Sequence, residues 1–406
     1  MITEYRQYLD PKKVWIPLTD GTFKLASVQV EQDDAVTAGQ IVAYKYSGKL
    51  KTPVLASITG TVVGFEERLD RFNKYVDHIV IERSDSNQMI THEGLDDDVP
   101  AAIIRQRIED CGLRQFNVDG LYTDIAFERP IKHILVNAIY ANEPFISTDY
   151  DFVKQHAELI ADGIKLLQHA AHAETATLIV DKYMDEQTLE ALGKATVDKG
   201  IEVVQVNTKH VNGWDYRIAK QLVGETISPN LIDNQILYTS AYAAKHIHDA
   251  VRNGRPLIER QVAITGDALR VNVLYDVRLG TRLEDLVDDL GGYDDGGTYM
   301  CHVGSFLSGE QVAADSFSVT ATVDTIDVSA YRQEPEEVCI KCGECNDICP
   351  AGILPQNIMD AELRNVNARI VDLHTDECIE CGLCSYVCPS KINVLEWVRR
   401  AKRRVG

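Results

Sequence analysis

Between Trp15 and Glu82 the apolar residues fall in short runs, FKLASVQV, IVAYKY, PVLASITGTVVGF and HIVIE, separated by turn-forming residues. That pattern predicts a small β-domain of repeated hairpins. Residues 84 to 100 are polar and acidic, the composition of a linker between domains. Beyond them the period changes. ILVNAIYA (134 to 141) reads as a strand. Phe152 to Ala170 carries an apolar stripe at 159, 160, 163, 164 and 167, a helix that must accommodate Gly163. TLIV (177 to 180), a helix from Asp185 to Lys199 and IEVVQV (201 to 206) complete a βαβ unit, so an open α/β domain is expected here. Residues 260 to 292 read as strands followed by a short helix from Leu283 to Leu290, a pattern that fits a β-grasp-like module.

The chain of 406 residues is long enough for several cores. The fold expected is multidomain α/β and α+β: a hairpin-rich unit over 1–95, the α/β unit over 96–255, the β-grasp-like module over 256–328, and a cysteine-rich unit over 329–406. With 62 acidic against 41 basic side chains the formal charge is -21. That field repels phosphate backbones and argues against nucleic acid as a partner. No apolar run approaches the roughly 20 residues of a spanning helix, and the polar start MITEYRQYLDPKK lacks an apolar leader region. A cytoplasmic protein that meets a membrane through partner subunits is expected. No H-E-x-x-H or G-x-S-x-G sequence points to a hydrolase.

The cysteines change the picture most. Eight of the ten lie in the last 68 residues, as Cys339, Cys342, Cys345 and Cys349 before Pro350, and as Cys378, Cys381, Cys384 and Cys388 before Pro389. Both runs read C-x-x-C-x-x-C-x-x-x-C-P. In two-cluster ferredoxins three thiolates of one run hold one [4Fe-4S] cluster and the fourth ligates the other. The expected ligand sets are Cys339, Cys342, Cys345 and Cys388 for one cluster, and Cys378, Cys381, Cys384 and Cys349 for the other. Paired zinc sites would need only four ligands each and leave the third cysteines and the prolines without a role. A disulfide framework lacks an export signal. The apolar residues of the intervening segment, from Pro355 and Ile358 to Ile370, predict an inserted helix that packs this unit on its neighbour. Cys111 and Cys301 stand alone and read as small buried apolar residues.

DDAVTAGQIVA and ASITGTVVGF resemble the two halves of a barrel-sandwich hybrid, the fold of lipoyl and biotinyl carriers. Lys49 and Lys51 lie near the corresponding bend, without the usual Met-Lys or Asp-Lys context, and read as solvated lysines. Taken in order, the four units resemble RnfC, the peripheral subunit of the Rnf electron-transport complex, over about Trp15 to Arg400. The anchors are ITGTV (58 to 62), Glu143-Pro144, Lys220-Gln221-Leu222, GRPLIERQVAITGDAL (254 to 269) and both cysteine runs. VNAIYANEP and VGSFLSG are nearer to the wording of the related NqrA subunit, which lacks the clusters.

The resemblance implies an SLBB-like β-grasp module, an α/β unit like the 51 kDa flavoprotein of complex I, two [4Fe-4S] clusters, and partners among the other subunits of an Rnf-like membrane complex together with a soluble electron donor or acceptor. It also implies FMN and NADH, but the chain departs from the family there. The glycine-rich loop is represented by GLRQFNVDGLYT (112 to 123), the E-C-E-P segment by Tyr140 to Pro144 with Glu143 as the surviving acid, and a further glycine stretch by Asn212 to Tyr216. Three readings follow: a relay of single electrons, a self-sufficient FMN-dependent NADH reductase resembling the cobalamin reductases, and a docking scaffold with a catalytically silent α/β unit. The basic end, Trp397 to Arg404, reads as favourable charge at a helix C-terminus, or as a contact for a membrane surface or an acidic partner.

Overall fold

The computed structural model describes residues 4–20, 23–48, 50–113, 129–139, 149–207, 215–224, 227, 231–294, 298–304, 307, 309–330 and 335–405. Its first strands are β1 (Glu4–Tyr8), β2 (Lys13–Pro17), β3 (Leu25–Val28), β4 (Ala35–Val36), β5 (Ile41–Ser47), β6 (Leu50–Leu55), β7 (Gly60–Leu69) and β8 (Tyr75–Arg83). All but β1 build two small sheets, ordered β2-β8-β7-β4 and β3-β5-β6, with every pair antiparallel. Val14, Ile16, Val42, Val54, Val62, Ile79 and Ile81 meet in one core. Alternating apolar positions place one face of each strand there. Lys51 is exposed and lies over the Tyr44 ring, 3.7 Å from its centroid. Lys49 lies outside the described residues.

Residues 84 to 100 are more than a linker. Ile90 N–H donates to Ala38 O, His92 N–H to Gly254 O and Leu95 N–H to Val251 O. The segment is a strap laid along both units it joins. Its polar side chains suit its exposed face, and its backbone finds partners on the other.

The α/β unit contains α1 (Ala101–Asp110), β9 (His133–Asn137), α2 (Asp149–Gln155), α3 (Ala157–Ala171), β10 (Thr175–Asp181), α4 (Glu186–Val197), β11 (Glu202–Val206), α5 (Asp215–Val223), β12 (Ile236–Ser240) and α6 (Ala241–Arg252). Its sheet runs β11-β10-β9-β12 and is wholly parallel. Both faces are covered, which explains the continuous apolar strands. Ile134, Val136, Leu178 and Val180 pack with α3 and α6 on one side. Leu135, Ile179 and Val206 pack with Ile218 and Ala219 of α5 on the other. Asp185 caps α4 by accepting from Thr188 N–H, and Ser240 caps α6 by accepting from Ala243 N–H. The single helix expected over 152–170 is two, broken at His156, whose φ of -120° and ψ of 21° are not helical. Cys111 is fully buried in this core.

A fourth sheet uses β13 (Glu259–Thr265), β14 (Val273–Arg278), β15 (Tyr299–Val303), β16 (Glu310–Val312) and β17 (Thr325–Ala330), with α7 (Leu283–Asp289) against it. Its order is β1-β14-β13-β17-β15-β16. The N-terminal strand therefore lies at its edge, parallel to β14 with Glu4 opposite Val273, although in sequence it precedes the hairpin unit. Cys301 is buried in this core, as expected. Trp15 N–H donates to Gly280 O at 2.8 Å and Leu257 N–H to Cys111 O at 2.8 Å, so the hairpin unit, the α/β unit and the unit of this sheet are tied together through backbone.

The last unit consists of α8 (Glu344–Asp347), α9 (Pro355–Leu363), α10 (Asn367–Asp372), α11 (Leu383–Tyr386) and α12 (Val394–Val405). The inserted segment differs from expectation in two ways. It is two helices parted at Asn365, where φ is 55°. Ile358, Met359 and Ile370 pack on Leu395, Val398 and Ala401 of α12, within the unit itself and not on its neighbour. Leu363 and Val366, which the helical stripe would have buried, are exposed.

Candidate metal centres

Each cysteine run folds the same way. The residue before the second cysteine turns left-handed, Lys341 at φ 58° and Glu380 at φ 53°, and the glycine after it does so again, Gly343 at φ 84° and Gly382 at φ 79°. Two such reversals curl a short loop so that its cysteines face inward. A one-turn helix follows, carrying Cys345 in α8 and Cys384 in α11. The fourth cysteine and its proline then lead the chain away.

The third and fourth cysteines part company. A cavity is lined by Cys339, Cys342 and Cys345 from the first run and by Cys388 from the second, with Met359, Ile392 and Val394 around them. The thiols acting on Cys345 are those of Cys342, Cys388 and Cys339. Those acting on Cys384 are Cys378, Cys381 and Cys349. The thiols thus fall into two groups, each drawing three cysteines from one run and one from the other. Among the described residues no three His, Cys, Asp or Glu side chains converge on a single-ion site.

Burial dominates the electrostatics. It pushes the Cys378 thiol up to about 11 and the Cys384 thiol up to about 12, and it raises Cys345 and Cys381. Neighbouring thiols raise Cys345 and Cys384 further. Such thiols keep their protons near neutral pH, so metal ligation there displaces protons and supplies the compensating positive charge. Soft sulfur donors in an apolar shell suit iron-sulfur ligation.

The two quartets differ in surroundings. Cys342 is exposed, as are Val338 and Ile340 beside it. The second-run quartet is the more enclosed: Cys381 and Cys384 are buried, Cys349 and Cys378 are half-buried, and Gly382 sits so tightly on the segment between β15 and β16 that a Cβ there would lie 1.8 Å from Leu307 O. Arg217, on α5 of the α/β unit, is near enough to oppose the burial of the Cys381 thiol. From α12, Lys402 Nζ donates to Cys378 O at 2.9 Å. The residues around this site that sequence reading missed are Glu380, Lys402 and Arg217. The basic tail was a signal for Lys402; for Arg217 there was none.

Glu143 and the segments 114–123 and 140–144 lie outside the described residues, as do 212–214, so the flavin-related readings have no structural counterpart here. The basic end of α12 is paired within the chain: Arg399 and Lys402 with Glu380, Arg400 and Arg403 with Glu396, and Arg404 with Glu362.

Comparison with known proteins follows the same division. Residues 3–86 match the RnfC barrel sandwich hybrid domain, residues 108–243 the Nuo51 FMN-binding domain, and residues 338–392 a 4Fe-4S dicluster domain. The RnfC protein of the Na(+)-translocating ferredoxin:NAD(+) oxidoreductase complex of Acetobacterium woodii is 26% identical over 373 residues, covering 88% of this chain and 82% of that protein. Its counterpart in the ion-translocating oxidoreductase complex of Serratia proteamaculans is 27% identical, covering 86% of this chain but 51% of its own length. The chain thus spans only about half of some relatives. These relatives bear out the resemblance to RnfC. A crystal structure of NAD+-reducing [NiFe]-hydrogenase shares the fold with TM-score 0.53 at 15% identity, over 79% of this chain and 69% of that one.

Proposed function

We propose that this chain is an electron-transfer subunit of an Rnf-type complex, relaying single electrons between a soluble donor and partner subunits. The observation that carries it is the crossing of the two cysteine runs into the quartets Cys339, Cys342, Cys345, Cys388 and Cys378, Cys381, Cys384, Cys349, each set to hold a [4Fe-4S] cluster. When bound, a [4Fe-4S] cluster takes up and gives back one electron. The chain's own part is to hold the thiols at the corners of an apolar cavity, to bury the second quartet more deeply, and to leave the other near the surface where a partner can approach.

Four units with boundaries near residues 95, 255 and 328 suit this role. The third is a β-grasp module of the SLBB kind, supported by the β13 and β14 hairpin, α7, and the return of β17 parallel to β13. Among the described residues no helix is long and apolar enough to cross a membrane. The place proposed for it is the inner membrane face, reached through partner subunits; that the relatives are subunits of ion-translocating complexes supports the membrane association.

The relay is preferred to a self-sufficient NADH reductase because the segments at 112–123, 140–144 and 212–216 depart from the flavin-binding pattern together. Anaerobic purification followed by iron, sulfide and flavin analysis tests both. Roughly eight irons per chain, with a visible band bleached by dithionite and no flavin, is the expected result. Zinc in place of iron overturns the relay, and stoichiometric flavin with bleaching by NADH favours the reductase.

A further inference from the structure

The two cysteine loops share a backbone and differ in charge. At the residue before the second cysteine, the first run carries Lys341 and the second Glu380. The helix after the first run, α9, contains no lysine or arginine; the helix after the second, α12, contains five. Two of these reach back to the second loop. Lys402 Nζ bonds both Cys378 O at 2.9 Å and Glu380 Oε1 at 3.1 Å, and Arg399 Nε bonds Glu380 Oε2 at 2.9 Å. The Glu380 backbone N–H in turn points at the Cys378 sulfur at 3.4 Å.

We infer that Lys402 and Glu380 form a charge pair that sets the reduction potential of the Cys378, Cys381, Cys384 and Cys349 site and leaves the other site unaffected. The inference rests on the relay reading and deepens it. Reduction adds one negative charge to a cluster already carrying four thiolates. A nearby cation favours that step, a nearby anion opposes it, and hydrogen bonds to sulfur act with the cation. Lys402 supplies the cation. Glu380 supplies the anion together with the sulfur hydrogen bond. Arg217 also acts on this quartet through Cys381, whereas the groups that act most strongly on Cys345 are its own backbone and the thiols around it. The adjustable potential therefore belongs to the enclosed site beside the α/β unit, while the site at exposed Cys342 faces outward.

The experiment is an anaerobic redox titration of the full chain followed by electron paramagnetic resonance, on wild type, Lys402→Met, Lys402→Arg and Glu380→Gln, with iron content measured in each. Wild type is expected to show two one-electron steps. Lys402→Met should move one step to a more negative potential, Glu380→Gln should move that same step to a more positive one, and Lys402→Arg should restore it. The other step should stay in place throughout. Iron-replete variants whose steps do not move, or whose two steps move together, overturn the tuning alone. Wild type without iron overturns the relay reading itself, and this inference with it. Glu380→Gln keeps the test open should Lys402→Met fail to fold.

Discussion

Gly163 on α3 lies so close to α6 that a Cβ built on it would stand 1.8 Å from the carbonyl oxygen of Ala244. A helix-interior glycine costs about 1 kcal/mol relative to alanine. Here that cost is outweighed by the close crossing, in which Ala161, Ala243 and Ala244 are also buried.

Gly163→Ala should therefore destabilise the α/β unit by about 1–3 kcal/mol through overpacking, against the sign of helix propensity. Urea or thermal unfolding of wild type and variant measures it. Unchanged or increased stability would show that the two helices separate freely.

Gly343 and Gly382 allow a controlled comparison. Both have positive φ, so alanine strains either loop by about 1 kcal/mol. A Cβ at 343 meets nothing within 4 Å, whereas one at 382 meets the backbone of Leu307. Gly382→Ala should lower the melting temperature and iron retention clearly more than Gly343→Ala. Equal effects would mean that the cluster unit does not dock through this contact.

Asp162 accepts from His248 Nδ1 at 2.7 Å and from Arg252 Nε at 3.0 Å. Burial would raise its carboxyl, but these bonds outweigh burial and hold it well below the ordinary carboxylate range. A depressed folded pKa contributes stability above the unfolded value of about 3.9 and loses it as pH falls toward the folded one. Asp162→Asn should cost about 2 kcal/mol at pH 7. The gap between wild type and variant should narrow below about pH 4. A gap that is constant from pH 7 to pH 3 would sink the linkage.

Crossed ligation makes a prediction about pairs. Cys345→Ala and Cys388→Ala should remove the same paramagnetic signal, although 43 residues separate them in sequence, and Cys384→Ala with Cys349→Ala should remove the other. Loss of one signal by Cys345→Ala and Cys349→Ala together would mean that each run holds its own cluster.

Much of the architecture was legible because it rests on local periodicity. The strands near 177–180 and 201–206, the helix capped at Asp185 and the hairpins before Glu82 each carry their signal within about ten residues. Where the local signal was mixed, reading failed. The stripe from 152 to 170 did not reveal the break at His156, and that from 355 to 370 did not reveal the left-handed turn at Asn365, because apolar spacing continues across both interruptions.

Composition and spacing by themselves determined two matching four-cysteine runs, and with them the expectation of crossed quartets, because ligand chemistry demands particular residues at short, repeated intervals. Only the tertiary structure decided that β1 edges a sheet whose partner strand is some 270 residues away, that Lys402 reaches Cys378, and that Leu307 covers Gly382. Those contacts join segments remote in sequence, through backbone groups and long side chains that carry no period. Their energy comes from which surfaces meet once the units pack, and no local stretch of residues encodes that meeting.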